Sequence, residues 1–175
     1  KSGLGGLGKM KDFNTSQLKN LLQVQGKEQQ ALFQKARDWR EKYFGKKVYL
    51  RGIIEFSNIC EKNCFYCGIR KNNKSVQRYR MQISEIESCL DFIQAVNYGS
   101  VVLQSGEMTD DISKNFLLEI VQLVHKKHPE LGITLSCGEL DYDFLKTLKE
   151  AGAHRYLLRI ETGNPALYAQ LHPSD

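Results

Sequence analysis

Residues 48–67 read VYLRGIIEFSNICEKNCFYC. Val48 to Phe56 is rich in β-branched and aromatic residues and predicts a strand, and the cysteines follow on the loop into which it opens. The same order then repeats. Ser84 and Glu87 read as the capping box of a helix with Ile86, Leu90, Ile93 and Val96 facing inward, ending at Gly99. SVVLQ (Ser100 to Gln104) is a short buried strand, and Asp110 and Asp111 introduce a helix through Phe116, Ile120 and Val124. GITLS (Gly132 to Ser136) is the third strand, and Asp141 caps a helix through Phe144, Leu148 and Ala151 that Gly152 closes. YLLRI (Tyr156 to Ile160) is the fourth strand, after which Asn164 and Pro165 open another helix. Strand and helix alternating every roughly thirty residues is the pattern of right-handed βαβ units and a parallel sheet.

In such a sheet every loop after a strand lies at one end, where α/β folds bind ligands. Four polar stretches collect there: Cys60 to Cys67, Gln104 to Glu107, Ser136 to Glu139 and Arg159 to Thr162. Ahead of the first strand, Asn14, Thr15 and Ser16 offer caps to a short helix. A second helix runs from about Lys27 to Phe44, with Leu32, Ala36, Trp39 and Tyr43 on one stripe and Gly45 as its stop. The expected organisation is an amino-terminal helical extension over 1–47, then a partial TIM-type barrel of about four βα units over 48–175. With only four strands, the chain reads as part of a larger barrel.

A hydrophobic content of 41% over 175 residues suits a packed core and excludes a disordered or collagen-like chain. The net charge of +5 suits anionic ligands, but the basic residues are scattered, which argues against nucleic acid. No run of about eighteen apolar residues is present to span a membrane. Lys1 to Lys11 is Gly-rich without an apolar h-region, which argues against a secretory signal. Of five cysteines, three crowd into residues 60–67, too tight for a disulfide framework, so a reducing compartment is expected. The cytoplasm is the expected place, and an organelle of an anaerobic eukaryote would leave the same signature.

The cysteine spacing is Cys60-x3-Cys64-x2-Cys67. Three thiolates can take three corners of a 4Fe-4S cubane and leave the fourth iron open. An open iron can chelate the amino and carboxylate groups of S-adenosylmethionine and pass an electron to its sulfonium, giving a 5′-deoxyadenosyl radical. Tyr66, beside the last cysteine, could pack near the adenine or simply fill the loop. The competing reading is a zinc-stapled binding module, which needs a fourth ligand from Cys89, His125, His128 or Cys137. Cys89 and Cys137 both suit packing better.

Cys60-x3-Cys64-x-Tyr66-Cys67 resembles the signature of the radical S-adenosylmethionine (SAM) superfamily. IIEFSNICEKNCFYCGIR (53–70), RYRM (78–81), VVLQSGE (101–107), TLSCGE (134–139) and RYLLRIETGNP (155–165) are similar, more narrowly, to the HydE family of FeFe-hydrogenase maturases. The related methylornithine synthase and biotin synthase group stays open as the alternative. The resemblance implies an eight-stranded barrel about twice this length, a 4Fe-4S cluster and SAM as cofactors, and a role in assembling the diiron subcluster of the hydrogenase. A small-molecule or organometallic substrate and other hydrogenase maturases are the implied partners.

The resemblance also distributes roles. Ser105-Gly106-Glu107 stands where superfamily members carry a Gly-Gly-Glu stretch that contacts the methionyl amino group. Gly106 would let the backbone approach closely, and Glu107 or a nearby carbonyl would accept from an ammonium. Thr134 and Ser136 share one strand face and could contact cofactor or substrate. Arg159 and Glu161 also share a face: Glu161 could accept from ribose hydroxyls and Arg159 could hold a carboxylate, unless the two form a structural pair. Gln104, Ser105 and Arg155 complete the candidate cavity wall, with Arg155 nearer the strand's start.

Overall fold

The structure is a computed structural model and describes residues 13–173; the reading of Lys1 to Lys11 falls outside them. The chain divides into two compact units, the first ending at Val48 and the second beginning at Tyr49.

The first unit holds α1 (Thr15–Gln23) and α2 (Gly26–Phe44). Asn14 caps α1: its side chain accepts from Gln17 N, and the Gln17 side chain accepts from Asn14 N, both at 2.9 Å. Gly45 stops α2 at φ 67°, donating its N–H to Glu41 O. The stripe expected on α2 buries no residue fully; Leu32 and Tyr43 are half-buried while Ala36 and Trp39 stay exposed.

The second unit runs β1 (Gly52–Ser57), α3 (Ile83–Ala95), β2 (Ser100–Ser105), α4 (Asp111–Lys127), β3 (Gly132–Ser136), α5 (Tyr142–Glu150), β4 (Arg155–Tyr156) and α6 (Pro165–Leu171). The strands form one parallel sheet in sequential order, β1-β2-β3-β4. The α/β class, the strand–helix order and the parallel sense are as the sequence predicts.

Element ends differ, and the register explains them. β1 begins at Gly52, not Val48, because Gly52 lies opposite Val101 and β2 starts one residue earlier, so Val48 to Leu50 have no strand beside them. β4 ends at Tyr156, not Ile160: Tyr156 lies opposite Leu135, one residue short of the end of β3. The capping box of α3 is formed by Gln82 and Glu85, not Ser84 and Glu87. That helix stops at Ala95, with Asn97 turning left-handed at φ 57°, so Val96 is exposed rather than inward.

Strand parity sets the layers. Ile54, Phe56, Val101, Leu103, Ile133 and Leu135 face the helices and pack with Ile86, Leu90 and Ile93 of α3, Ile120 and Val124 of α4, and Leu148 of α5. The opposite face carries two cross-strand rows. Ile53, Val102, Thr134 and Arg155 form one, and Glu55, Gln104 and Ser136 form the next, two residues nearer the carboxyl ends.

Candidate cofactor cleft at the carboxyl end of the sheet

A cleft of about 780 Å³ opens at the carboxyl ends of the strands. That is within the size range of small-molecule sites, roughly 300–1,000 Å³. Its wall includes Cys60, Cys64, Cys67 and Tyr66 from the first loop, Gln104, Ser105, Gly106 and Glu107 from the second, Ser136 from the third, and Arg159 and Glu161 from the fourth. Thr134 and Arg155 are not part of the wall: they sit on the correct face but in the deeper row.

The cysteine loop is closed at its base by the chain itself. After the cysteines the backbone returns across the exit of β1 and makes an antiparallel bridge between Ser57 and Arg80. Met81 N donates to Phe56 O (2.8 Å) and the Ser57 hydroxyl donates to Tyr79 O (3.1 Å). The Asn58 amide donates to Gln77 O and accepts from Tyr79 N, both at 2.8 Å. The cysteines lie at the tip, where Cys67 N donates to Cys64 O (3.0 Å) and Lys71 N to Lys62 O (2.8 Å).

Gly106 has no room for a side chain, for a reason the sequence did not disclose. A Cβ there would collide with the carbonyl of Ile59 and lie 2.7 Å from Cys60 Cβ. The glycine lets the cysteine loop seat against the end of β2, so the space expected to admit the cofactor is taken by the loop that would hold it. Glu107, half-buried beside it, pairs with Lys62 (3.4 Å). That carboxylate holds the Lys62 ammonium above its ordinary pKa against the opposing effect of burial. Gly138, at φ 83°, leaves the space that the Glu107 side chain fills.

The remaining wall residues are held to different degrees. Gln104 donates to Glu55 Oε1 (3.1 Å), whereas the Ser105 hydroxyl turns back onto Gly106 O (2.8 Å). Arg159 and Glu161 lie on coil beyond β4, with Glu161 at φ 59°. No ion pair joins them among the described residues, so the structural-pair alternative is not what the fold contains. The Thr134 hydroxyl is buried without a hydrogen-bond partner among the described residues.

Tyr66 is engaged by residues that the sequence reading did not single out. Its hydroxyl lies 2.7 Å from His172 Nε2, His172 stacks on Tyr168 at 3.9 Å, and Phe65 N donates to Leu171 O (3.0 Å). The end of α6 thus docks on the cysteine tip. Burial, with the neighbouring Cys64 and Glu161 adding to it, pushes the Tyr66 phenol up to about 12. Asn164 and Pro165 mark where α6 starts, but no local pattern says where its far end comes to rest.

Burial also raises the Cys64 thiol above its ordinary value, so the thiolate needs a positive centre beside it. Among the described residues, no three Cys, His, Asp or Glu side chains converge as a single metal ion requires. A cubane asks less convergence of its ligands, since each thiolate reaches its own iron. None of the proposed fourth zinc ligands lines the cleft: Cys137 is buried with its thiol toward Leu103 O (3.7 Å), and Cys89 packs against the core. His128 is buried, and His125 packs over Gly152. Three cysteines on one loop fit the three protein-held corners of a 4Fe-4S cluster.

Residues 54–174 match the profile of the Radical SAM superfamily, and the chain belongs to that superfamily, whose members use a 4Fe-4S cluster and SAM. The chain is 41% identical over 168 residues to the FeFe hydrogenase maturase subunit HydE of Thermotoga maritima, covering 93% of this chain and 46% of that protein. It is 33% identical over 158 residues to 3-methylornithine synthase of Methanosarcina barkeri, covering 88% and 44%. The crystal structure of methylornithine synthase (PylB) superposes with a TM-score of 0.82 at 30% identity, over 91% of this chain and 48% of that one. The chain therefore spans about half the length of the relatives it matches, and its four βα units are part of a TIM-type barrel. Among the described residues no helix is long and apolar enough to cross a membrane.

Proposed function

We propose that the protein is a radical SAM enzyme that reductively cleaves SAM and, like HydE, serves maturation of the FeFe-hydrogenase active site. The observation that carries the reading is the placement of Cys60, Cys64 and Cys67 on one strapped loop facing Glu107, Ser136, Arg159 and Glu161 across a single cleft. When bound, the cluster supplies one electron to the sulfonium of SAM and so a carbon-centred radical.

The chain's own residues do the rest. The three cysteines hold the cluster, and Gly106 lets their loop seat against β2. Glu107 offers its carboxylate to the methionyl ammonium, exchanging it for Lys62. Glu161 accepts from the ribose hydroxyls, and Arg159 receives a carboxylate in a two-pronged grip. Gln104, braced by Glu55, and Ser136 present polar groups to the substrate. Leu157 and Leu158 close part of the wall with apolar surface. No side chain is needed as a general base.

The substrate in this reading is a small or organometallic molecule, the partners are other hydrogenase maturases, and neither nucleic acid nor a membrane takes part. Five free thiols suit the reducing cytoplasm. The higher identity to HydE favours the maturase reading; the superposition on PylB keeps a radical SAM enzyme of the methylornithine synthase and biotin synthase group as the second. The test is anaerobic reconstitution with iron and sulfide, followed by electron paramagnetic resonance of the reduced protein with and without SAM. A 4Fe-4S signal that changes on adding SAM and vanishes in Cys64→Ala is expected. Tight zinc without a cluster in a folded sample would end the radical reading.

A further inference from the structure

Arg78 belongs to the RYRM stretch, to which neither the cysteine chemistry nor the cleft assigns a role. Its guanidinium is half-buried at the base of the cysteine loop and donates to four backbone carbonyls: Asn58 (2.7 Å), Ile69 (2.8 Å), Arg70 (2.7 Å) and Asn73 (3.3 Å). Asn58 lies two residues before Cys60, and Ile69 and Arg70 lie just after Cys67. One side chain therefore ties the ascending and descending limbs of the loop. The Asn58 amide completes the tie by pairing with the backbone on both sides of Arg78, at Gln77 and Tyr79.

Among the described residues no carboxylate lies within ion-pairing distance of Arg78. A guanidinium spent wholly on carbonyls is unusual, because its planar fork suits carboxylates and phosphates. Nη1 serves Asn58 and Ile69 and Nη2 serves Arg70 and Asn73, a set of four carbonyls shared over two nitrogens that lysine, with one, cannot hold in full. The charge remains uncompensated beside a loop that, in the proposed function, carries a cluster.

We propose that Arg78 is a positioning residue that sets the geometry of the cysteine loop before any metal arrives, and that its positive charge, added to that of Arg70 at the Cys67 carbonyl, favours the reduced state of the bound cluster. The first half stands on the loop alone; the second rests on the cluster reading. Arg78→Lys separates them, since it keeps the charge and loses the fork, while Arg78→Gln loses both.

The test is hydrogen–deuterium exchange of the full-length, metal-free protein, paired with redox titration after reconstitution. In the wild type, the amides of Cys67, Arg70 and Lys71 should be protected without metal. In both variants they should exchange at least tenfold faster, while amides of β2 and β3 stay at wild-type rates. After reconstitution both variants should lose iron to a chelator faster than wild type. The reduction potential should fall in Arg78→Gln and be largely kept in Arg78→Lys. Unprotected loop amides in the metal-free wild type would overturn the positioning role even if neither variant folds. Equal potentials in all three proteins would overturn the electrostatic one. If no cluster can be reconstituted in the wild type, the proposed function fails, yet the exchange result still decides the clamp.

Discussion

Tyr66 Oη and His172 Nε2 lie 2.7 Å apart, although 106 residues separate them in the chain. The pair joins the tip of the cysteine loop to the end of α6, and the stacked Tyr168 ring holds the imidazole in place. His172→Phe keeps the ring's bulk and removes the hydrogen bond. A net loss of about 0.5–1.5 kcal/mol, hence roughly two- to tenfold weaker SAM binding, is expected with the cluster still present. Titrating the SAM-dependent paramagnetic resonance change checks it, and unaltered affinity would mean that Tyr66 needs no support from α6.

The five cysteines should divide cleanly. Replacing Cys60, Cys64 or Cys67 with Ala should abolish the cluster, whereas Cys89→Ala and Cys137→Ala should retain full iron per protein, since the last two pack in or against the helix-facing core. Iron and sulfide content after reconstitution gives the answer.

Gly106→Ala places a methyl group against the Ile59 carbonyl and Cys60 Cβ. Both belong to backbone-anchored positions that cannot swing away, so a cost of about 1–3 kcal/mol is expected, with the cysteine loop displaced. Chemical denaturation of the metal-free protein and iron content of the reconstituted one should both fall.

Alkaline pH should weaken the fold through two groups. Burial raises the Cys137 thiol from 9.0 to about 11 and lifts the Tyr156 phenol well above 10.0. A group whose proton is held more tightly in the fold than in the unfolded chain contributes its full stability below the unfolded pKa and loses it as pH rises through the folded one. For Cys137 the loss begins near pH 9 and continues through about 11; for Tyr156 it begins near pH 10. Tyr156→Phe also removes the 2.7 Å bond to Gly138 O, so it should be less stable than wild type by about 1 kcal/mol at neutral pH. Its stability should nevertheless fall less steeply above pH 10. Urea melts across the alkaline range would show parallel curves if the phenol plays no part.

Strand identity, parallel order and the gathering of four polar loops at one end could all be read from the sequence, because alternation and capping are local signals. Asp110, Asp141 and Asn164 mark helix starts that the structure keeps. Strand ends could not be read in the same way, since Val48 to Leu50 and Leu158 to Ile160 look like strand until the register shows that no neighbour is left to pair with them. At the cleft, residue types pointed to the cysteines and to Glu107, but Lys62 and His172 act through partners distant in the chain, as does Arg78 at the base of the loop. The constraint on Gly106 is of the same kind: composition marks a glycine, and only the approach of Ile59 says what it is for.

The two rows on the open face of the sheet work as a graduated scale. Moving back two residues along any strand descends about 6.5 Å below the rim. Glu55, Gln104 and Ser136 stand at the upper mark; Ile53, Val102, Thr134 and Arg155 stand at the lower one. Depth is thus written into residue number: the upper mark borders the cleft, while the lower one lies beneath it and outside its wall.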